Sequence, residues 1–165
     1  MSTQYAMKYF TEEVGVEYLA KPADYGSAGK DCPSIKLGLH RRLTFIIGFG
    51  ALTGNSVLSV YSGATTGAKT TQEKFSYRLA NAAQGAANAD VFGAATQDVT
   101  SLTLTAATYA NKILTVEFDP AQLSVQGQDF ITCSVDATAT VLNMAILGIA
   151  RGPRYSQNAM DTVLL

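Results

Sequence analysis

The sequence predicts an all-β fold: an antiparallel β-sandwich or jelly-roll-like barrel with an extended N-terminal arm. Two observations carry this. Several short runs alternate apolar and polar residues, and Gly, Asn, Asp and Pro punctuate them. The Ala-rich stretch best suited to a helix, Asn81 to Asp98, carries no periodic apolar stripe and reads as a long surface loop.

Residues 1–38 form the arm. Tyr5, Tyr9, Phe10, Tyr18 and Tyr25 are spaced irregularly among Gly, Pro, Lys and acidic residues. Pro22 and Pro33 each favour an extended residue before them. Lys21 to Lys30 has neither helical nor strand period and reads as loop. So many aromatics without a period cannot cover their own apolar surface. The arm is expected to lie against its own core or a neighbour.

The sandwich is expected over 39–155. Leu43 to Ala51 places Phe45, Ile47, Phe49 and Ala51 on one face, with Gly48 and Gly50 on the other. Thr53-Gly54-Asn55 marks a turn before a second strand, Val57 to Ser62, and Gly63 to Thr71 is a loop. Lys74 to Ala80 alternates cleanly, with Phe75, Tyr77 and Leu79 inward. Ser101 to Ala106, Ile113 to Phe118, Phe130 to Val135 and Thr140 to Ala150 complete the set. The last is apolar on both faces, so it should be central or covered by another subunit. Gly152-Pro153-Arg154-Tyr155 breaks it, and residues 156–165 form a polar tail ending Val163-Leu164-Leu165.

Composition narrows function by exclusion. The chain has 165 residues, one domain's worth, with 12 Lys+Arg against 13 Asp+Glu. A coat for nucleic acid would show a basic excess, so no nucleic-acid partner is expected. No apolar run is long enough for a membrane span, and Met1 to Lys8 lacks the pattern of a signal peptide. Cys32 and Cys133 are too few and too far apart in sequence for a disulfide framework, so reduced thiols are expected.

Candidate chemistry is sparse. Gly48 to Gly54 reads G-x-G-x-x-x-G, one residue off a dinucleotide loop, and no amphipathic helix follows it. These glycines more simply relieve crowding or mark a bulge. His40 is the single histidine and the only candidate general base. Beside Arg41 and Arg42 it reads as a solvated strand entrance, and the two guanidiniums are candidates to clamp partner carboxylates. Asp119, Asp129 and Asp136 could gather at one end of the sandwich for calcium, although turn-forming Asp is the commoner use. No catalytic residue, cofactor or metal is assigned.

One resemblance adds to this. The run Ala51-Leu52-Thr53-Gly54-Asn55-Ser56-Val57-Leu58-Ser59-Val60-Tyr61-Ser62-Gly63-Ala64, then Phe75-Ser76-Tyr77-Arg78, Asp90-Val91-Phe92-Gly93, Leu102 to Tyr109, Leu114 to Asp119 and Gly148 to Tyr155, resembles tailed-bacteriophage capsid decoration (cement) or minor head proteins. The resemblance covers about two-thirds of the chain and lies in overall texture, with no catalytic motif. It implies a jelly-roll-like subunit, often trimeric, on the capsid surface. The expectation is a non-enzymatic virion protein, assembled in the host cytoplasm, bridging major capsid protein subunits as a homotrimer. Tyr5, Tyr9, Phe10, Tyr18 and Tyr25 would be its aromatic anchors. Arg41, Arg42, Arg151 and Arg154 would pair with capsid carboxylates. The alternative is a tail, fibre or head-surface module binding host carbohydrate through the loops 63–71 and 81–98.

Overall fold

The computed structural model describes residues 14–37, 40–136 and 139–153. Two antiparallel sheets pack as a sandwich. The larger has the order β1-β12-β4-β10-β7-β8, comprising β1 (Val14–Asp24), β12 (Val141–Pro153), β4 (His40–Thr53), β10 (Ile113–Phe118), β7 (Phe75–Leu79) and β8 (Thr96–Val99). The smaller is built on β5 (Asn55–Gly63) and β11 (Phe130–Val135). The short strands β2 (Lys30–Asp31) and β3 (Ile35–Lys36) pair with β11, and β6 (Thr71–Glu73) and β9 (Ser101–Thr105) pair with β5. A single helical turn, α1 (Ala106–Tyr109), follows β9.

The alternation read from the sequence is what fills the space between the sheets. Leu43, Phe45, Ile47 and Phe49 of β4 point inward with Leu142, Met144 and Ile146 of β12 and Leu114, Val116 and Phe118 of β10. Leu58 and Val60 meet them from β5, and Ile131, Cys133 and Val135 from β11. Fully burying one such side chain stabilises the fold by about 1.5–3 kcal/mol. β12 lies between β1 and β4, the central place its two apolar faces require.

The inward period on β4 ends earlier than expected. Ala51 is exposed and Leu52 is buried instead. The register with β12 shifts here: Leu142 pairs with Leu52 but Met144 with Phe49, so Gly50 and Ala51 of β4 together oppose the single Asn143, and β4 carries the extra residue of a bulge. A Cβ on Gly50 would stand 3.2 Å from the Asn143 Cβ, so the glycine accommodates the bulge.

Three other expectations change. Lys21 to Asp24, read as loop, continues β1 as an edge strand, where Pro22 costs no central ladder bond. Thr96 to Asp98, the end of the expected loop, instead pair with β7 as part of β8. The last strand runs on to Pro153 before ending, with Gly152 in the left-handed region at φ 64°.

Cys32 and Cys133, distant in sequence, are neighbours across the β2–β11 ladder. The Cys32 N–H donates to the Cys133 carbonyl at 2.9 Å. Both are free and buried. The Cys32 thiol beside it, and then burial, push the Cys133 thiol well above its ordinary value.

A buried carboxylate ties the smaller sheet to the 119–129 connection. Glu73 is fully buried and accepts from the Ser62 and Ser124 hydroxyls, each at 2.6 Å, and from the Ser124 N–H at 3.0 Å. On the outer face of this sheet, Lys69 reaches Asp31 at 2.8 Å, and Asp31 also accepts from Ser134 at 2.6 Å.

Candidate functional site on the outer face of the larger sheet

Cross-strand register turns the outer face of the larger sheet into a grid. One row runs Tyr18, Leu147, Ile46, Thr115, Arg78 across five strands. The row beside it runs Val16, Ile149, Thr44, Glu117, Ser76. The next holds Val14, Arg151 and Arg42. Residues directly opposite share a face, so the β1–β12–β4 side is apolar and the β10–β7 side polar. Val16 is 42% exposed and Tyr18 55%, both large apolar side chains facing solvent.

Gly48 and Ala145 lie opposite one another further along this face, with Ile113 on the other flank of Gly48. A Cβ on Gly48 would meet nothing within 4 Å. The missing side chains leave a trough of about 620 Å³, bordered by Pro22, Ala23, Met144 and Lys112.

The arginines gather at one end. Arg42 and Arg151 are paired across β4 and β12, and both are exposed. Arg41, also exposed, lies beside them, its Cβ 3.4 Å from where a Cβ on Gly152 would be. Among the described residues the one ion pair is Lys69–Asp31, so these guanidiniums hold no carboxylate among them. Lysines of the smaller sheet are engaged instead: Lys30, Lys36 and Lys69 sit over the rings of Tyr25, Phe130 and Tyr61.

Of the expected anchors, Tyr18 stands free on the face. The Tyr25 hydroxyl donates to the Lys21 carbonyl at 2.9 Å, and its ring packs on the core beneath Lys30. Tyr5, Tyr9, Phe10 and Arg154 lie outside the described residues.

His40 corrects the reading of a solvated strand entrance. It is only 3% exposed, its Nδ1 has no hydrogen-bond partner among the described residues, and burial lowers its imidazole from the ordinary value. Its neighbours Arg41 and Arg42 do reach solvent. Among the described residues no three His, Cys, Asp or Glu side chains come together as a metal site. Asp119 does the work of a turn residue: it accepts from the Ala121 N–H at 2.9 Å and caps the 3₁₀ turn Pro120–Gln122.

A second groove, of about 570 Å³, opens on the polar side of the grid. Its floor is Arg78, Thr115 and Glu117, with Arg42 at one end. One wall is the chain between β7 and β8 with the start of β8, including Phe92 and Gln97; the other is the turn holding Asp119 and Gln122. Alternation reveals each strand's faces, but only the pairing of distant strands brings Arg42 and Arg78 into one groove.

No family model matches the chain, and no curated protein matches it. In structure it is similar to the SPBc2 prophage-derived protein YomS. That crystal structure aligns with a TM-score of 0.52 and 16% identity, over 85% of this chain and 94% of that one. At this identity the likeness shows a shared fold.

Proposed function

We propose that this chain is a non-enzymatic structural subunit of a phage particle that docks through the outer face of its larger sheet. The observation that carries the reading is the apolar surface of Val16 and Tyr18, with Arg42 and Arg151, in no ion pair among the described residues, at its margin. An apolar centre edged by arginine is the composition of a protein interface, and Tyr and Arg are its commonest energetic anchors. The fold shared with a prophage-derived protein supports a phage setting.

In the finer form, the subunit decorates the capsid as a homotrimer and bridges major capsid protein subunits. Arg41, Arg42, Arg151 and Arg154 pair with carboxylates of the capsid. Three weak contacts held together would exceed a single contact by roughly 10²-fold or more in avidity, which stabilises the head mechanically. The location that follows is the virion surface.

The test is the composition of purified particles from cells expressing this chain. The reading predicts many copies per particle, and loss of incorporation for Tyr18→Asp at unchanged folding. Absence from the particles, or full incorporation of Tyr18→Asp, contradicts it.

A further inference from the structure

The groove on the polar side of the sheet calls for a different ligand from the apolar face. Arg42 and Arg78 are both exposed and without a carboxylate partner among the described residues, yet they share one concavity. Its volume of about 570 Å³ falls within the range of small-molecule sites. Its walls are built. The Ala80–Phe92 bridge, and the Gly93 N–H donating to the Leu79 carbonyl at 3.0 Å, fix the Phe92 side to β7. The Asp119 cap fixes the opposite wall.

The lining selects a chemistry. A guanidinium fork matches a carboxylate in two parallel hydrogen bonds. Glu117 and Asp119 accept from hydroxyls, while Gln97 and Gln122 both donate and accept. Half-buried Phe92 supplies an apolar flank. Two arginines against two carboxylates leave no net charge in the groove, so a polyanion gains nothing overall. An acidic peptide or a nucleic-acid strand would press further negative groups against Glu117 and Asp119. A ligand with one carboxylate per several hydroxyls satisfies every wall.

We propose that this groove binds an acidic saccharide, its carboxylate held by the Arg78 guanidinium and its hydroxyls by Glu117, Asp119 and Gln97, with Arg42 at the other end of the groove. The groove shares Arg42 with the docking reading, but Arg78 and Gln97 lie on the polar side of the face; binding is measured on the isolated full-length chain and particle incorporation is measured separately, so the failure of one is distinguishable from the failure of the other.

The experiment is a glycan array of uronate, sialic-acid and pyruvylated saccharides, each beside its neutral counterpart, followed by calorimetry with the best acidic ligand and with hexaglutamate. The expected result is saturable binding of an acidic saccharide, lost on esterifying its carboxylate, with hexaglutamate binding more weakly. Arg78→Gln should weaken binding about tenfold or more, and Arg78→Lys, which keeps the charge but loses the fork, should restore it only in part. Gln97→Ala should weaken it less and leave the melting temperature unchanged. No acidic saccharide bound above its neutral counterpart overturns the proposal. So does hexaglutamate binding as tightly as the saccharide, or an affinity that Arg78→Gln leaves unchanged.

Discussion

Arg42 of β4 and Arg151 of β12 stand directly opposite one another on adjacent antiparallel strands, both exposed and neither joined to a carboxylate among the described residues. Like charges in this position repel, at a cost on the order of 0.2–1 kcal/mol. An anion brought by another molecule reverses the sign of the arrangement. The pair therefore disfavours the isolated fold slightly and favours a complex.

Replacing one member separates these effects. Arg151→Gln should stabilise the isolated chain by about 0.5 kcal/mol in low salt, and the gain should shrink as salt screens the repulsion. Urea unfolding at low and high ionic strength measures it. The same variant should enter particles less well than the native chain.

Glu73 is a buried carboxylate held, among the described residues, by hydroxyl and amide donors. Glu73→Ala would remove the acceptor that Ser62 and Ser124 share; the Ser62 hydroxyl can still donate to Gln128 Oε1 at 2.8 Å and exposed Ser124 can turn to water, so a loss of about 1–2 kcal/mol is expected from urea unfolding. Glu73→Gln keeps an acceptor and should lose less. Because Ser124 lies outside the sheets, the Ala variant should also speed proteolysis of the 119–129 connection.

Two glycines should respond unequally to the same change. A Cβ on Gly26 would lie 2.6 Å from the Thr140 carbonyl oxygen, a backbone atom with little freedom to yield. On Gly148 it would lie 2.6 Å and 2.8 Å from the Cδ1 atoms of Ile35 and Leu19, the ends of rotatable side chains. Gly148→Ala should cost about 1–3 kcal/mol by overpacking, and Gly26→Ala more. Melting temperatures of the two variants rank them.

Acid should destabilise the protein in two stages. His40 is held below its ordinary 6.5 by burial, so its neutral form is favoured on folding, and the stability it contributes is lost as pH falls from about 6.5 through the lower folded value. Asp24 is held below 3.8 by the N–H groups of Leu142, at 2.8 Å, and Gly26, at 2.9 Å. Burial raises the Asp31 carboxyl, but the hydrogen bonds from Lys69 and Ser134 and the charges of Lys69 and Lys30 outweigh it and leave it lowered. Both aspartates contribute stability that is full above about 4 and lost as pH falls through their folded values. Melting curves from neutral pH downward should show both declines. Asp24→Asn should flatten the second, and His40→Gln the first.

Most strands were legible because alternation and turn residues report local geometry. Ile113 to Phe118 and Phe130 to Val135 match the structure residue for residue, since their inward positions alternate without interruption. Ala51 misled because β4 bulges at Gly50 and Ala51, and that bulge is defined by pairing with β12, a strand about ninety residues away. Lys21 to Asp24 misled because an edge strand held by β12 tolerates Pro22 and needs no apolar period of its own. The site was legible in its residue types and obscure in its geometry. Arg42 and Arg151 were both candidates, but their opposition depends on the β4–β12 register. Alternation leaves Arg78 outward on its strand, and nothing local brings it into one groove with Arg42.

The most direct test of the docking face is hydroxyl-radical footprinting of Tyr18 in purified particles and in the isolated chain. At 55% exposure, Tyr18 should be readily modified when free. The account predicts strong protection of Tyr18 and Val16 in the particle, with Val125 on the far connection still reactive. Equal modification of Tyr18 in the two states would contradict it.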